Sequence, residues 1–309
     1  MARFSEAIGI VFPRLYVVDA SPRGSDIDFI KSYIVVGEDA AAIIDPGPSN
    51  AAGIVAEEAT RLISSGSRIY IVLTHIHIDH AGGTGPLIEL LRSKSYSVEV
   101  WVHPRGARHL ADPSKLWEAS QKVLGKRATL FGAPAPVPQR YIHETSDGDE
   151  LCLGETVLHI IHTPGHASHH QSIAIETARG TMVFTGDSAG IYDPLSRGLV
   201  PTTPPPFRLK PYLESLDKMR SLDPCCIAPT HLGPGPGSLL DEHREQILLW
   251  YEVVEKMRGE PLDKILEEIL RKDKLASRLV KELGWSNDIR GAIIDSIKGL
   301  LNYFEQSNK

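Results

Sequence analysis

"LTHIHIDHAGG" (residues 73–83) sets three histidines and one aspartate, His75, His77, Asp79 and His80, within six positions and follows them with Gly82 and Gly83. It continues the run IYIVLT (69–74), whose β-branched and apolar residues predict a buried strand. While the chain stays extended, residues two apart point the same way, so His75, His77 and Asp79 would share a face. His80 breaks that phase and predicts a turn. Ala81-Gly82-Gly83 is expected to supply it, since glycine accepts backbone angles that other residues avoid. With 13 His and 18 Asp in 309 residues, an HxHxDH pattern arises by chance in roughly one such chain per thousand, treating positions as independent. Imidazole and carboxylate are ligands for Zn²⁺ and related divalent ions, and no thiolate is needed.

Four neighbouring groups cannot all reach one tetrahedral ion, and a catalytic metal keeps an open position. Further ligands are therefore expected at other strand ends. Three residues fit: His166 in HTPGHASHHQS, Asp187 in VFTGDSAG and His231 in APTHLGP, each after an apolar run and beside glycine or proline.

The flanking pattern is α/β. Strands are predicted at AAIIDPG (41–47), 69–74 and SVEVWVH (97–103), with helices over 51–65 and 86–93 between them. Residues 104–140 break the rhythm with a short helix, SKLWEASQKVLG, and a proline-rich stretch, FGAPAPVPQR. Strands resume at 155–163, 171–177 and 181–187, and 198–211 reads as a stiff extended loop. PYLESLDKMRSL predicts a helix and CCIAPTH a buried strand ending on His231. From Asp241 onward the pattern is helical, which divides the chain into 1–240 and a C-terminal helical region, 241–309.

Composition narrows the class. Apolar residues make up 42% and charged residues 23%, as in an ordinary globular protein, and the net charge of −6 argues against a nucleic-acid partner. No apolar run approaches the roughly 18 residues of a membrane span, and MARFSEAIGIVFPRLYVVDA lacks the pattern of a signal peptide. Cys152, Cys225 and Cys226 form no disulfide framework; they are expected to be reduced and buried in a cytoplasmic protein.

THIHIDH, TPGHASHH, FTGD and PTH, in that order, resemble the motifs of the metallo-β-lactamase fold superfamily of metallohydrolases over roughly residues 30 to 235. The resemblance implies an α/β fold, a four-layer αβ/βα sandwich with the site in the cleft at one edge. Carried over, it assigns His75, His77 and His166 to one metal, Asp79, His80 and His231 to a second, and Asp187 to both. It gives Asp45 a supporting place behind the ligands. Two divalent ions are implied, zinc first, with iron or manganese as alternatives. The implied reaction is attack of a metal-bridging hydroxide on the carbonyl of a small-molecule thioester, lactone or related ester, with Asp187 bridging and Asp79 helping to orient the hydroxide.

Branches differ in detail. Nuclease members insert a domain between the bridging aspartate and the last histidine, whereas here Asp187 and His231 are 44 positions apart. Diiron flavoprotein members carry glutamate where this chain has His77. Mononuclear iron persulfide dioxygenases keep similar histidines and stay an alternative, as does a metal-dependent phosphodiesterase or nuclease. A metal-stabilised scaffold would not require seven ligands. The C-terminal helices resemble those of glyoxalase-II-like members. Between Arg244 and Lys309 they balance 12 Lys/Arg against 12 Asp/Glu, so they are expected to pack on the body or on a second subunit, as in a homodimer. His169 and His170, three and four positions after His166, could contact the ligands from behind, but a turn or surface position is expected; His159 and His162 are expected as ordinary strand residues. Residues 104–140 and the TTPPPF loop are expected to border the cleft, with Trp117, Tyr192 and Phe207 as apolar pocket contacts.

Overall fold

Alternation along the strands decides the layers. The computed structural model describes residues 14–25 and 28–307; the N-terminal stretch read above for a leader falls mostly outside the described residues. One sheet runs in the order β1 (Leu15–Asp19), β2 (Lys31–Val36), β3 (Ala40–Ile44), β4 (Arg68–Val72), β5 (Ser97–Val102), β6 (Ile142–Glu144). Strands β3 to β6 are parallel neighbours, which requires crossovers. Helix α1 (Ala52–Leu62) makes the first; α2 (Ile78–Ala81) and α3 (Thr84–Ser93) make the second. The 104–140 segment holds α4 (Pro104–Ala111), α5 (Ser114–Leu124) and α6 (Lys126–Phe131).

The second sheet begins as an antiparallel meander, β7 (Glu150–Cys152), β8 (Val157–His162), β9 (Gln171–Thr177) and β10 (Gly180–Gly186). A small ribbon follows, β11 (Ile191–Asp193) with β12 (Gly198–Val200), in place of part of the extended loop expected at 198–211. Helix α7 (Leu209–Arg220) then carries the chain to β13 (Cys226–Pro229), parallel to β10, and to β14 (Gly235–Pro236) at the edge.

In β3, Ala40, Ala42 and Ile44 face the other sheet and share a core with Ile160, Ile173 and Phe184. Their neighbours Ala41 and Ile43 join Val55 of α1 and Leu87 of α3 in a separate, larger core. A continuous apolar run is what a strand buried on both faces requires. The result is two facing sheets with helices outside, a mixed α/β sandwich.

Four helices close the chain: α8 (Leu239–Lys256), α9 (Leu262–Lys272), α10 (Lys274–Leu283) and α11 (Asn287–Ser307). They pack on the body. The indole of fully buried Trp250 donates to Asp273 Oδ2 at 2.7 Å, and Gln246 Nε2 donates to the same oxygen at 2.7 Å and to the Leu199 carbonyl. The other Asp273 oxygen caps α10 by accepting from the Leu275 and Ala276 amides. Gly299 of α11 lies so close to the Thr203 carbonyl that a Cβ would sit 1.6 Å from it. Among the described residues no helix is long and apolar enough to cross a membrane.

The cysteines differ from expectation. Only Cys226 is buried; Cys225 is half-exposed, and Cys152 is exposed because β7 is an edge strand that turns Leu151 inward and its neighbours out.

Candidate metal centre

Strand β4 ends at Val72, so His75 and His77 lie beyond the sheet, and His77 caps the single turn of α2 that carries Asp79 and His80. The chain therefore turns earlier than alternation suggested. The glycines also serve another purpose. Gly82 and Gly83 hold helical angles that any residue adopts. A Cβ on Gly82 would meet the Ile78 carbonyl at 2.3 Å, and one on Gly83 the Pro48 carbonyl at 3.0 Å. Gly82 is thus crowded by its own turn, and Gly83 by the Pro46–Pro48 loop after β3, which passes against it.

That loop brings Asp45, fully buried with φ +50°, behind the histidines. Asp45 Oδ1 accepts from the Thr74 amide at 2.8 Å. Oδ2 accepts from Thr74 Oγ1 at 2.6 Å, Thr230 Oγ1 at 2.9 Å and His80 Nδ1 at 2.8 Å. Because Thr74 Oγ1 spends its proton on Asp45, it accepts from His75 Nδ1 at 3.1 Å. His166 Nδ1 lies 2.7 Å from the Thr202 carbonyl, which only accepts, so Nδ1 carries that proton. These bonds fix the tautomers of His75 and His166 and turn the bare Nε2 lone pairs inward.

The inward atoms form two groups. His75, His77, His166 and Asp187 each offer a ligand atom within 4.8 Å of the others, as do Asp79, His80 and His231. His77 Nδ1 approaches His75 Nε2 at 2.9 Å and His166 Nε2 at 3.1 Å. Asp187 lies between the groups: Oδ2 is 3.3 Å from His166 Nε2, and Oδ1 is 3.3 Å from both His80 Nε2 and His231 Nε2.

The donors fit cations. His80 Nε2 and Asp187 Oδ1 are buried with no hydrogen-bond partner among the described residues, and such orphans ask for an explanation. Burial pushes the His75 imidazole well below its ordinary pKa and His77 down to about 4, with the neighbouring imidazoles adding to it. Both therefore present neutral nitrogen. Burial raises the Asp79 and Asp187 carboxyls, but His80 and His231 outweigh it and hold both below the usual range. At His80 burial favours the neutral ring, yet Asp187, Asp45 and Asp79 prevail and raise it well above 6.5. Three carboxylates around one ring call for positive charge, which divalent ions bound to these atoms would supply.

The main chain of Asp187 is also held. Its amide donates to His170 Nε2 at 3.1 Å, and its carbonyl accepts from Thr202 Oγ1 at 2.6 Å and from the Tyr212 hydroxyl at 3.3 Å. Gly186 before it sits at φ +51°, and a Cβ there would lie 2.6 Å from Thr74 Oγ1 and 2.7 Å from His170 Nε2. The structure thus corrects the surface expectation for His170, which is fully buried. His169 is half-buried, its ring 5.8 Å from that of His77. The repeat HASHHQS names these histidines, but only folding shows which one turns inward.

Above the donors lies a cavity of about 310 Å³ lined by His77, Asp79, His166, Asp187 and His231 at its base. Its walls come from α5, from Pro204 and Pro205 of the TTPPPF loop, and from Ala292, Asp295 and Ser296 of α11. The segments expected at the cleft do border it, but the side chains differ. On α5 the lining residues Leu116, Ala119, Ser120, Val123 and Leu124 repeat at helical spacing. Trp117 is out of that phase and does not line the cavity; it packs against the core, as Leu116 and Leu124 also do in part. Phe207 is buried against Tyr212, ring centroids 5.3 Å apart, and Tyr192 lines another cavity with Cys225 and Arg278.

The family model described as the metallo-beta-lactamase superfamily matches residues 26–231. The chain belongs to that superfamily. It is 33% identical over 249 residues to the metallo-beta-lactamase fold-containing protein ST1585 of Sulfurisphaera tokodaii, covering 77% of this chain and 88% of that protein. The solved structure of ST1585 from Sulfolobus tokodaii superposes with a TM-score of 0.69 at 28% identity, over 94% of this chain and 99% of that one. This metallo-β-lactamase-fold chain is also 30% identical over 132 residues to the acyl-coenzyme A thioesterase MBLAC2 of Gallus gallus, over 40% of this chain and 41% of that one.

Proposed function

We propose that this chain is a dinuclear metal-dependent hydrolase of a thioester, lactone or related ester. The observation that carries the reading is Asp187, whose two oxygens face two separate donor groups at 3.3 Å. His75, His77 and His166 would hold one ion and Asp79, His80 and His231 the other, with Asp187 shared; zinc suits this nitrogen- and oxygen-donor set. Such ions lower the pKa of water to roughly 7 and polarise a carbonyl.

The chain's own residues do the rest. Asp45, through Thr74 and directly, aims His75 and His80. The Asp79 carboxyl, held charged by its histidine neighbours and partly open to the cavity, would accept a hydrogen bond from the attacking water and orient it. Similarity to an acyl-coenzyme A thioesterase supports an acyl substrate. The helices after His231 suggest the glyoxalase-II-like group.

Elemental analysis of protein purified without added metal tests the reading, together with turnover of a thioester and lactone panel. About two divalent ions per chain and hydrolysis of one class are expected. One iron per chain, with persulfide oxidation and no hydrolysis, would overturn it.

A further inference from the structure

Helix α5 is an odd roof. Among the described residues none of its eleven is buried, and Val123 is 73% exposed. Short helices in water draw most of their stability from packing an apolar face. The face of α5 that carries Leu116, Val123 and Leu124 turns toward the cavity. Opposite it stand Phe29, Ile78, Phe131 and Ile191, so the space between base and roof is bounded mostly by carbon.

Apart from Ser120 on α5, the polar side chains on the walls are already engaged. Arg127 pairs with Asp288 at 2.7 Å and lies over the Phe131 ring. Asp295 pairs with Lys298 at 3.1 Å, and Ser296 Oγ donates to the Pro201 carbonyl while accepting from the Thr203 amide. Thr202 Oγ1 is spent on the Asp187 carbonyl. Of these groups Arg127 Nε alone has no hydrogen-bond partner among the described residues, leaving one donor for a polar atom. An anionic moiety would find no uncommitted cation on these walls; an apolar one would find an unfilled surface.

We infer that the cavity takes the aliphatic acyl chain of the substrate, and that this chain covers the part of the α5 face that the core leaves open, Val123 above all. The carbonyl would then meet Asp79 and Asp187 at the base, with the chain running along Leu116, Val123 and Leu124. The inference rests on the proposed hydrolytic reading for the word "substrate", but the space and its lining do not depend on turnover.

The test is accordingly a binding measurement. Full-length protein with the metal it carries is titrated calorimetrically with n-alkyl carboxylates from butyrate to decanoate. Hydrogen exchange over residues 114–124 is followed with and without decanoate. Affinity should rise about four-fold per methylene, the worth of burying one CH₂, and exchange in α5 should slow several-fold. Leu124→Asp should flatten the series, and Leu124→Ala should lower its slope in case the charged variant disturbs the helix. A flat series, including no binding at any length, overturns the inference. So does a rising series that neither protects α5 nor responds to Leu124. If affinity rises with length but no thioester or ester is hydrolysed, the hydrolase reading fails and the acyl-chain site stands.

Discussion

The base and the roof of the same cavity are built on opposite terms. At the base, buried side chains are held several times over: Asp45 alone accepts from Thr74 twice, Thr230 and His80. In the roof, α5 rests Leu116 and Leu124 only partly buried on the core and leaves Val123 73% exposed beside the cavity. Ligands that must meet an ion within tenths of an ångström need orientation from behind. A wall that admits a chain of carbon needs only surface, and it can wait for its partner. The base is thus rigid before anything binds, while the roof is left adaptable.

The largest effect should come from breaking the centre of the base. Asp187→Asn should lose one or both metals and depress turnover beyond the roughly 10–100-fold typical of changes behind the ligands. Elemental analysis and turnover check it, and unchanged values would remove Asp187 from between the donor groups. One layer back, Asp45→Asn should keep the fold but weaken metal retention roughly 10–100-fold in a chelator competition, because His80 loses its acceptor. Thr74→Val should act in the same direction through His75 alone, and by less.

A third prediction concerns the link between the base and the C-terminal helices. Tyr212, whose hydroxyl lies 3.3 Å from the Asp187 carbonyl, also meets Nε2 of buried His243 at 2.8 Å, and His243 Nδ1 in turn donates to Gln246 Oε1 at 3.1 Å. Burial pushes His243 down to about 4 from 6.5. A lowered histidine pKa means that the unfolded chain binds more protons between those values. Stability from the neutral ring is therefore complete above pH 6.5 and is lost as pH falls toward 4. The shift corresponds to about 3 kcal/mol. Denaturant unfolding of the wild type and of His243→Gln at several pH values should show the variant losing less over that window. Parallel curves would refute the assignment.

The smallest effect belongs to the roof. Val123→Ser should change stability by less than about 0.5 kcal/mol, as surface substitutions do. Leu87→Ala, on the buried face of α3, should cost about 2–5 kcal/mol. Thermal or denaturant unfolding compares them directly, and a costly Val123→Ser would mean that α5 is already packed.

Much of the base was legible in the chain. His75, His77, Asp79 and His80 crowd into one stretch because a single turn after β4 delivers them together. His166, Asp187 and His231 could be picked out singly, since each follows an apolar run, and the strands they follow all end on the same side of the second sheet. The reason for Gly83 was not legible, because it lies in the Pro46–Pro48 loop more than 30 positions earlier. Nor was the part of His170, which differs from His169 in the direction it faces and not in its sequence surroundings.

The pocket walls show the same division. The spacing of Leu116, Ala119, Val123 and Leu124 marks a face of a helix, but nothing in it says whether that face meets a core, a partner or a cavity. Trp117, Tyr192 and Phe207 drew attention as large apolar side chains, and size carries no direction. From its residues the chain showed an α/β pattern and seven candidate donors, because apolar runs and metal-ligand chemistry are local properties; the sandwich and the grouping of the donors came with the resemblance of their motifs to the metallo-β-lactamase fold superfamily. That Asp187 Oδ1 faces His80, and that α11 completes the wall beside α5, depend on segments more than a hundred positions apart meeting in space. Long-range packing sets those contacts, and no local pattern encodes it.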